Sequence, residues 1–152
     1  MSSNVRYQIR DATSADEAWL EGVRRRAYAD LFDATWGGWD EARHSRQFSE
    51  SMNRGSISII EVDEERVGMV QLYEEGDALE IGEVQIDPRH QNRGIGTIVI
   101  LDVISSAGAQ GRDVRLCVGL KNEKAIRFYE RLGFLSVGRS HSHVHMKYEA
   151  RG

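Results

Sequence analysis

The sequence predicts an α/β protein with a central mixed, mostly antiparallel β-sheet of about six to seven strands, flanked by about four α-helices. Two β-rich runs, Ser56–Val62 and Arg66–Tyr73, flank the acidic turn Asp63-Glu64-Glu65, and Glu74–Asp77 leads into a third run, so three strands form an antiparallel meander. The order strand, helix, strand between Leu79 and Val118 requires a crossover between parallel strands, which makes the sheet mixed. Ala125, Phe128, Tyr129 and Leu132 fall at the i, i+3, i+4, i+7 spacing of one apolar helix face.

The remaining elements follow in order. Tyr7–Arg10 is a short strand, and Thr13 or Ser14 caps a helix from about Asp16 to Asp30, with Ala18, Val23, Ala27 and Tyr28 facing inward. Arg24-Arg25-Arg26 on that helix reads as a solvated face. Gly37-Gly38 breaks the helix between Trp36 and Trp39, which either staple two helices together or line a cleft. A second helix spans Asp40–Asn53, a third runs from Ile95 to about Ser106 and stops before Gly108 and Gly111, and Val114–Val118 is a strand. Asn122 opens the fourth helix, Gly133 ends it, and Phe134–Tyr148 holds two short strands.

With 152 residues the chain is expected to be a single domain, 1–152. Its 20 Lys+Arg against 24 Asp+Glu give a net charge of −4, which argues against nucleic acid as a partner. Cys117 is the one cysteine, so no intrachain disulfide forms. The polar opening MSSNVRYQ lacks the apolar segment of a secretory signal, which makes a reducing cytoplasm the expected location. No membrane partner is expected either, because the longest aliphatic run, Ile98–Leu101, falls far short of the ~20 residues that span a bilayer.

The chemistry concentrates in Leu79–Leu101. Leu79 and Ile81 alternate, as do Val84 and Ile86, but the two pairs are out of phase across Gly82. The strand therefore needs a bulge near Gly82-Glu83, which leaves backbone N–H groups without a ladder partner. Such donors can hold a carbonyl. Pro88 closes the strand, and Gln91-Asn92-Arg93-Gly94-Ile95-Gly96 leads without bulk into the third helix. Successive N–H groups at a helix N-terminus form a phosphate site.

Two motifs together carry a resemblance. Gln91-x-x-Gly94-x-Gly96 after V-x-I-D-P, followed by Asn122-x-x-Ala125-x-x-Phe128-Tyr129-x-x-x-Gly133-Phe134, resembles the GNAT superfamily of acyl-CoA-dependent N-acyltransferases. The resemblance covers most of the chain from the hairpin onward. It implies a GNAT-like fold, acetyl-CoA as cofactor, and a coenzyme A site formed by Val84, Gln85, Ile86, Gln91, Asn92, Arg93, Gly94, Ile95, Gly96, Thr97, Asn122, Arg127 and Tyr129. The amides of Asn92–Gly96 would grip the pyrophosphate, and the pantetheine arm would run along the Val84–Ile86 backbone. Asn122 would bond the pantetheine, and Tyr129 would point at the sulfur.

Acyl transfer to an amine needs a base for a group of pKa ~10, an oxyanion site, and a proton for a thiolate of pKa ~8.5. Tyr129 suits the last task, although a core tyrosine explains it equally without the motif. Glu80 and Glu83 are the candidate bases, against ordinary solvent-facing strand residues with a water chain carrying the proton. The resemblance also places the acceptor walls in Tyr28–Trp39 and Ser140–His145, with Tyr28, Trp36 and Trp39 as substrate contacts. His141, His143 and His145 alternate along the last strand, but no Cys or carboxylate joins them nearby, so no metal is expected. Cys117, inside L-C-V, reads as a small buried residue.

The expected function is direct acetyl transfer from acetyl-CoA to a primary amine in a ternary complex, with a small molecule as acceptor. Acetylation of a protein N-terminus or lysine is the variant of that reading. The rivals from other classes are a catalytically silent acyl-CoA sensor and a nucleotide-binding regulatory module. A homodimer is common among similar proteins.

Overall fold

The computed structural model describes residues 6–36, 40–91 and 93–150, without the side chains of 27–36 and Ser51. Seven strands form one sheet in the order β1-β2-β3-β4-β5-β7-β6, accompanied by four α-helices. In chain order these are β1 (Gln8–Asp11), α1 (Glu17–Trp36), α2 (Glu41–Arg54), β2 (Ile57–Val62), β3 (Glu65–Glu75), β4 (Ala78–Ile86), α3 (Ile95–Ala109), β5 (Asp113–Gly119), α4 (Glu123–Leu132), β6 (Leu135–Arg139) and β7 (His143–Tyr148). The predicted α/β class, mixed sheet and element order are those observed. The chain divides into two compact units, Met1–Gln71 with Glu83–Gly96, and Leu72–Gly82 with Thr97–Gly152.

In the first unit β1 pairs antiparallel with β2, and β2 with β3. The β2–β3 turn places Asp63 and Glu64 at φ 51° and 65°, the left-handed pair that a two-residue hairpin demands, although neither residue is the usual Asn or Gly. The ladder shifts register between Ile60 and Glu61, a bulge that no apolar alternation announced. Leu20, Ile57, Ile59 and Met69 form a buried cluster, with Trp19, Phe48 and Met52 packed around it. On α1 the buried stripe is Leu20 and Val23, three residues apart; Ala18 lies on the solvent side instead of facing inward, two helical steps round from Leu20. The helix runs on to Trp36 instead of ending at Asp30, because no breaker occurs before Gly37. Asp40 caps α2 by accepting from the Arg43 amide at 3.0 Å.

The arginine run is not a solvated face. Arg24 bonds Glu83, Arg25 bonds Glu21 and Glu41, and Arg26 bonds Asp87. Three consecutive helix residues point in three directions, and each finds a carboxylate.

In the second unit β4 and β5 run parallel, from Ala78↔Asp113 to Ile81↔Leu116. The expected bulge at Gly82-Glu83 lies just past this ladder and stays an expectation. β5 pairs antiparallel with β7, and β7 with the edge strand β6, whose register shifts between Ser136 and Gly138. Val114, Leu116 and Val118 are buried while Arg115 and Cys117 between them are exposed, the period-two signature of a strand with one covered face. Cys117 is thus an exposed thiol, correcting the expectation of a buried one. The aromatic rings of Phe128, Tyr129, Phe134 and Tyr148 meet edge to face in sequence, at 5.1, 5.5 and 5.7 Å.

Candidate active site

In the first unit, the end of β4 and the loop after it are held from several sides. Gly68 on β3 is packed so closely that a Cβ there would meet the Gln85 carbonyl at 2.5 Å, so this position of the β4 backbone depends on a residue without a side chain. The Asp87 amide donates to the Val67 carbonyl at 2.8 Å. The Asp87 carboxylate is fully buried: burial alone would raise its pKa, but hydrogen bonds from Arg89 and Arg26 outweigh that and hold it well below the usual carboxylate range. Gln91 Nε2 donates to the Ile86 carbonyl at 3.1 Å and ties the start of the loop to the end of the strand.

Arg93 and Gly94 are exposed, and Gly94 sits at φ 76°, in the left-handed region, with open space where a Cβ would stand. α3 starts at the next residue, Ile95, whose buried side chain anchors the turn. The first N–H groups of this 15-residue helix have no intrahelical partner, so Ile95, Gly96 and Thr97 present amides beside Gly94. Asn92 lies outside the described residues. A backbone bent by glycine, with room above it and donors around it, fits a phosphate-bearing ligand.

Glu83, the first β4 residue of this unit, accepts from Arg24 Nη1 at both carboxylate oxygens, 2.9 and 3.1 Å away. A cavity of ≈10 Å³, about the room of one water, lies beside the pair among Leu20, Val23, Phe48, Met52 and Met69. A carboxylate so occupied is a poor proton acceptor. Val84, Gln85 and Ile86 are half-buried.

In the second unit, Asn122 caps α4: its Oδ1 accepts from the Ala125 amide at 3.3 Å. The cap uses the oxygen and leaves the side-chain NH₂ to donate elsewhere. Tyr129 is 7% exposed, and burial raises its pKa, so the phenol is protonated at any working pH. Arg127 is exposed on the same helix, 4.0 Å from Glu123. Glu80 is half-buried on β4, in register with Arg115. Of the three histidines expected to alternate on one strand, His141 lies before β7, and only His143 and His145 share its exposed face. Among the described residues no three metal-ligating side chains converge. Of the expected acceptor contacts, Tyr28 and Trp36 belong to α1 with side chains outside the description, and Trp39 lies outside the described residues altogether.

Comparison with known proteins decides the family. The Acetyltransferase (GNAT) family profile matches residues 24–134. The chain belongs to the GNAT acetyltransferase family. An uncharacterised N-acetyltransferase of Methanocaldococcus jannaschii is 40% identical over 144 residues, covering 84% of this chain and 60% of that protein. The chain therefore spans about 60% of the length of this curated relative. The PaiA N-acetyltransferase of Thermoplasma acidophilum, crystallised in complex with coenzyme A, has the same fold, with a TM-score of 0.77 at 18% identity over 95% of this chain and 99% of that one. An acetyltransferase from Thermus thermophilus gives 0.71 at 19% identity, covering 94% and 96%.

Within this GNAT fold, sequence reasoning overlooked three residues. Gly68 carries no local signal, since its close approach to Gln85 exists only once β3 and β4 fold. Asp87 passed as part of a turn before Pro88, and nothing local marked its burial between Arg26 and Arg89. The exposure of Cys117 was readable, because period two places it opposite Leu116 and Val118. Its approach to His145, with Sγ 3.1 Å from Nδ1, depends on the β5–β7 register.

Proposed function

We propose that this GNAT protein is an acetyl-CoA-dependent N-acetyltransferase that moves the acetyl group directly to a primary amine, with a small molecule as acceptor. The observation that carries the reading is the turn at Gly94: left-handed backbone, open space above it, and the amides of a 15-residue helix starting at the next residue. It supports a grip on the pyrophosphate by the amides of Asn92–Gly96, with Gln91, Arg93 and Thr97 flanking. The Val84–Ile86 backbone receives the pantetheine, the free NH₂ of Asn122 donates to it, and Arg127 contributes positive charge. Acetyl-CoA supplies an activated acyl carbon and a stable leaving thiol.

The chain's own tasks are to take a proton from the amine and give one to the departing sulfur. Tyr129, kept protonated by burial, is the donor. Glu80 is the stronger candidate for the base, because Glu83 is engaged by Arg24. Thermal shift tests the cofactor: acetyl-CoA should stabilise the protein well beyond ATP or NAD, by mass action on the folded state. Equal shifts with all three would remove the coenzyme A assignment, and an amine panel read by thiol release would then separate enzyme from sensor.

A further inference from the structure

Cys117 and His145 stand opposite each other on β5 and β7, on the uncovered face of those strands. Their side chains are both exposed, and Sγ lies 3.1 Å from Nδ1. With the imidazole in its Nε2–H form, the thiol donates to Nδ1, the arrangement in which a base takes a nucleophile's proton as it attacks. Arg115 and Lys147, the pair two residues back along the same strands, add positive charge to this face.

We propose that Cys117 and His145 form a covalent acyl-accepting site: the thiol takes the acyl group of an acyl thioester by thiol–thioester exchange, with His145 Nδ1 receiving its proton. The bond from Sγ to the carbonyl carbon forms, and the donor's carbon–sulfur bond breaks. The departing thiolate regains the proton from the imidazolium. One thioester replaces another, so no oxidant or reductant is consumed. Burial and the nearby charge of Glu80 raise the Cys117 pKa, so the sulfur rests as a thiol, needs its neighbouring base, and is strongly nucleophilic once deprotonated. The site is separate from amine acetylation and does not depend on it.

The test incubates the full chain with acetyl-CoA or with a truncated acetyl thioester lacking the nucleotide, quenches in acid, and follows intact mass and mapped peptides. The expected result is one acetyl group on Cys117, removed by hydroxylamine as a thioester is and an amide is not. It should be absent in Cys117→Ala and form at least about tenfold more slowly in His145→Gln. Circular dichroism checks the fold, and His145→Asn serves if His145→Gln melts early. Absence of labelling at Cys117 with both donors, or a rate indifferent to His145, would overturn the site. Equal, His145-dependent rates with the two donors would support it while counting against the coenzyme A grip of the proposed function.

Discussion

Arg24 on α1 gives Glu83 on β4 two hydrogen bonds from a single nitrogen, at 2.9 and 3.1 Å, between side chains only 13% and 9% exposed. A pair this shielded stabilises little net, but breaking it strands a charge. Arg24→Met should therefore cost about 3–5 kcal/mol in urea unfolding. Replacing both residues by Met and Leu should recover most of that. A cost below about 1 kcal/mol for the single variant would show that the pair behaves as an exposed one.

The same pair separates the two candidate bases. Glu80→Gln should lower turnover far more than acetyl-CoA affinity, whereas Glu83→Gln should act first on stability, since it removes the carboxylate that compensates Arg24. Steady-state kinetics and melting curves for both variants check this. Turnover unaffected by either substitution would leave water as the proton acceptor.

At Gly94, geometry and electrostatics can be tested apart. With φ at 76° and nothing within 4 Å of a built Cβ, Gly94→Asn keeps access to the left-handed region, while Gly94→Glu adds bulk and negative charge at the phosphate position. Calorimetric titration should show acetyl-CoA affinity reduced modestly in the first and collapsed in the second, with both proteins folded. Unchanged affinity in Gly94→Glu would mean that the loop is only a turn.

Two buried groups set the acid limb of stability. Burial lowers the pKa of His44 despite the opposing pull of Glu21, 3.2 Å away, with Arg25 and Arg24 adding to the lowering. Below about pH 6.5 the unfolded chain takes up a proton that folded His44 refuses, so stability falls as pH drops from there towards its folded pKa. Asp16 is held low by hydrogen bonds from Arg10, and Asp87 by Arg89 and Arg26 against its burial. Their contribution is full above about pH 4 and is lost as pH falls through the folded values. Urea midpoints from pH 7 to 3 should thus decline in two stages. His44→Phe, stacking on Phe48 as His44 does, should flatten the first stage alone.

Local signals were legible in the sequence wherever one residue type decides a conformation. Asp40 and Asn122 begin their helices as caps, Gly133 ends α4 in the left-handed region, and Gly94 turns the chain into α3. What stayed hidden depends on partners distant in sequence. Nothing in Arg24-Arg25-Arg26 shows that carboxylates from α2, β4 and the following turn will reach that helix, and nothing in Val67-Gly68 shows that β4 will press against it. The strand period exposed Cys117, yet an apolar run suggested burial because its neighbours are buried.

Tyr129 separates an enzyme from a sensor. If its hydroxyl protonates the departing thiolate, Tyr129→Phe keeps the ring contacts to Phe128 and Phe134 while deleting one proton donor. General acid catalysis contributes ~10²–10⁴-fold, so turnover should fall within that range while acetyl-CoA affinity stays within a few-fold of the parent. A structural tyrosine would instead lose stability, on the order of 1 kcal/mol for one buried hydrogen bond, with its rate intact. Because burial raises the phenol's pKa, the parent's activity should not decline at alkaline pH through loss of this proton, which distinguishes Tyr129 from an exposed acid. The coenzyme A thiolate leaves tolerably near neutral pH, so the defect should shrink with acceptors whose reaction is limited by amine attack. Kinetics with a good acceptor and melting temperatures for parent and variant give the answer. Full activity in a normally folded Tyr129→Phe protein would leave Tyr129 as core packing and assign the proton to another group or to water.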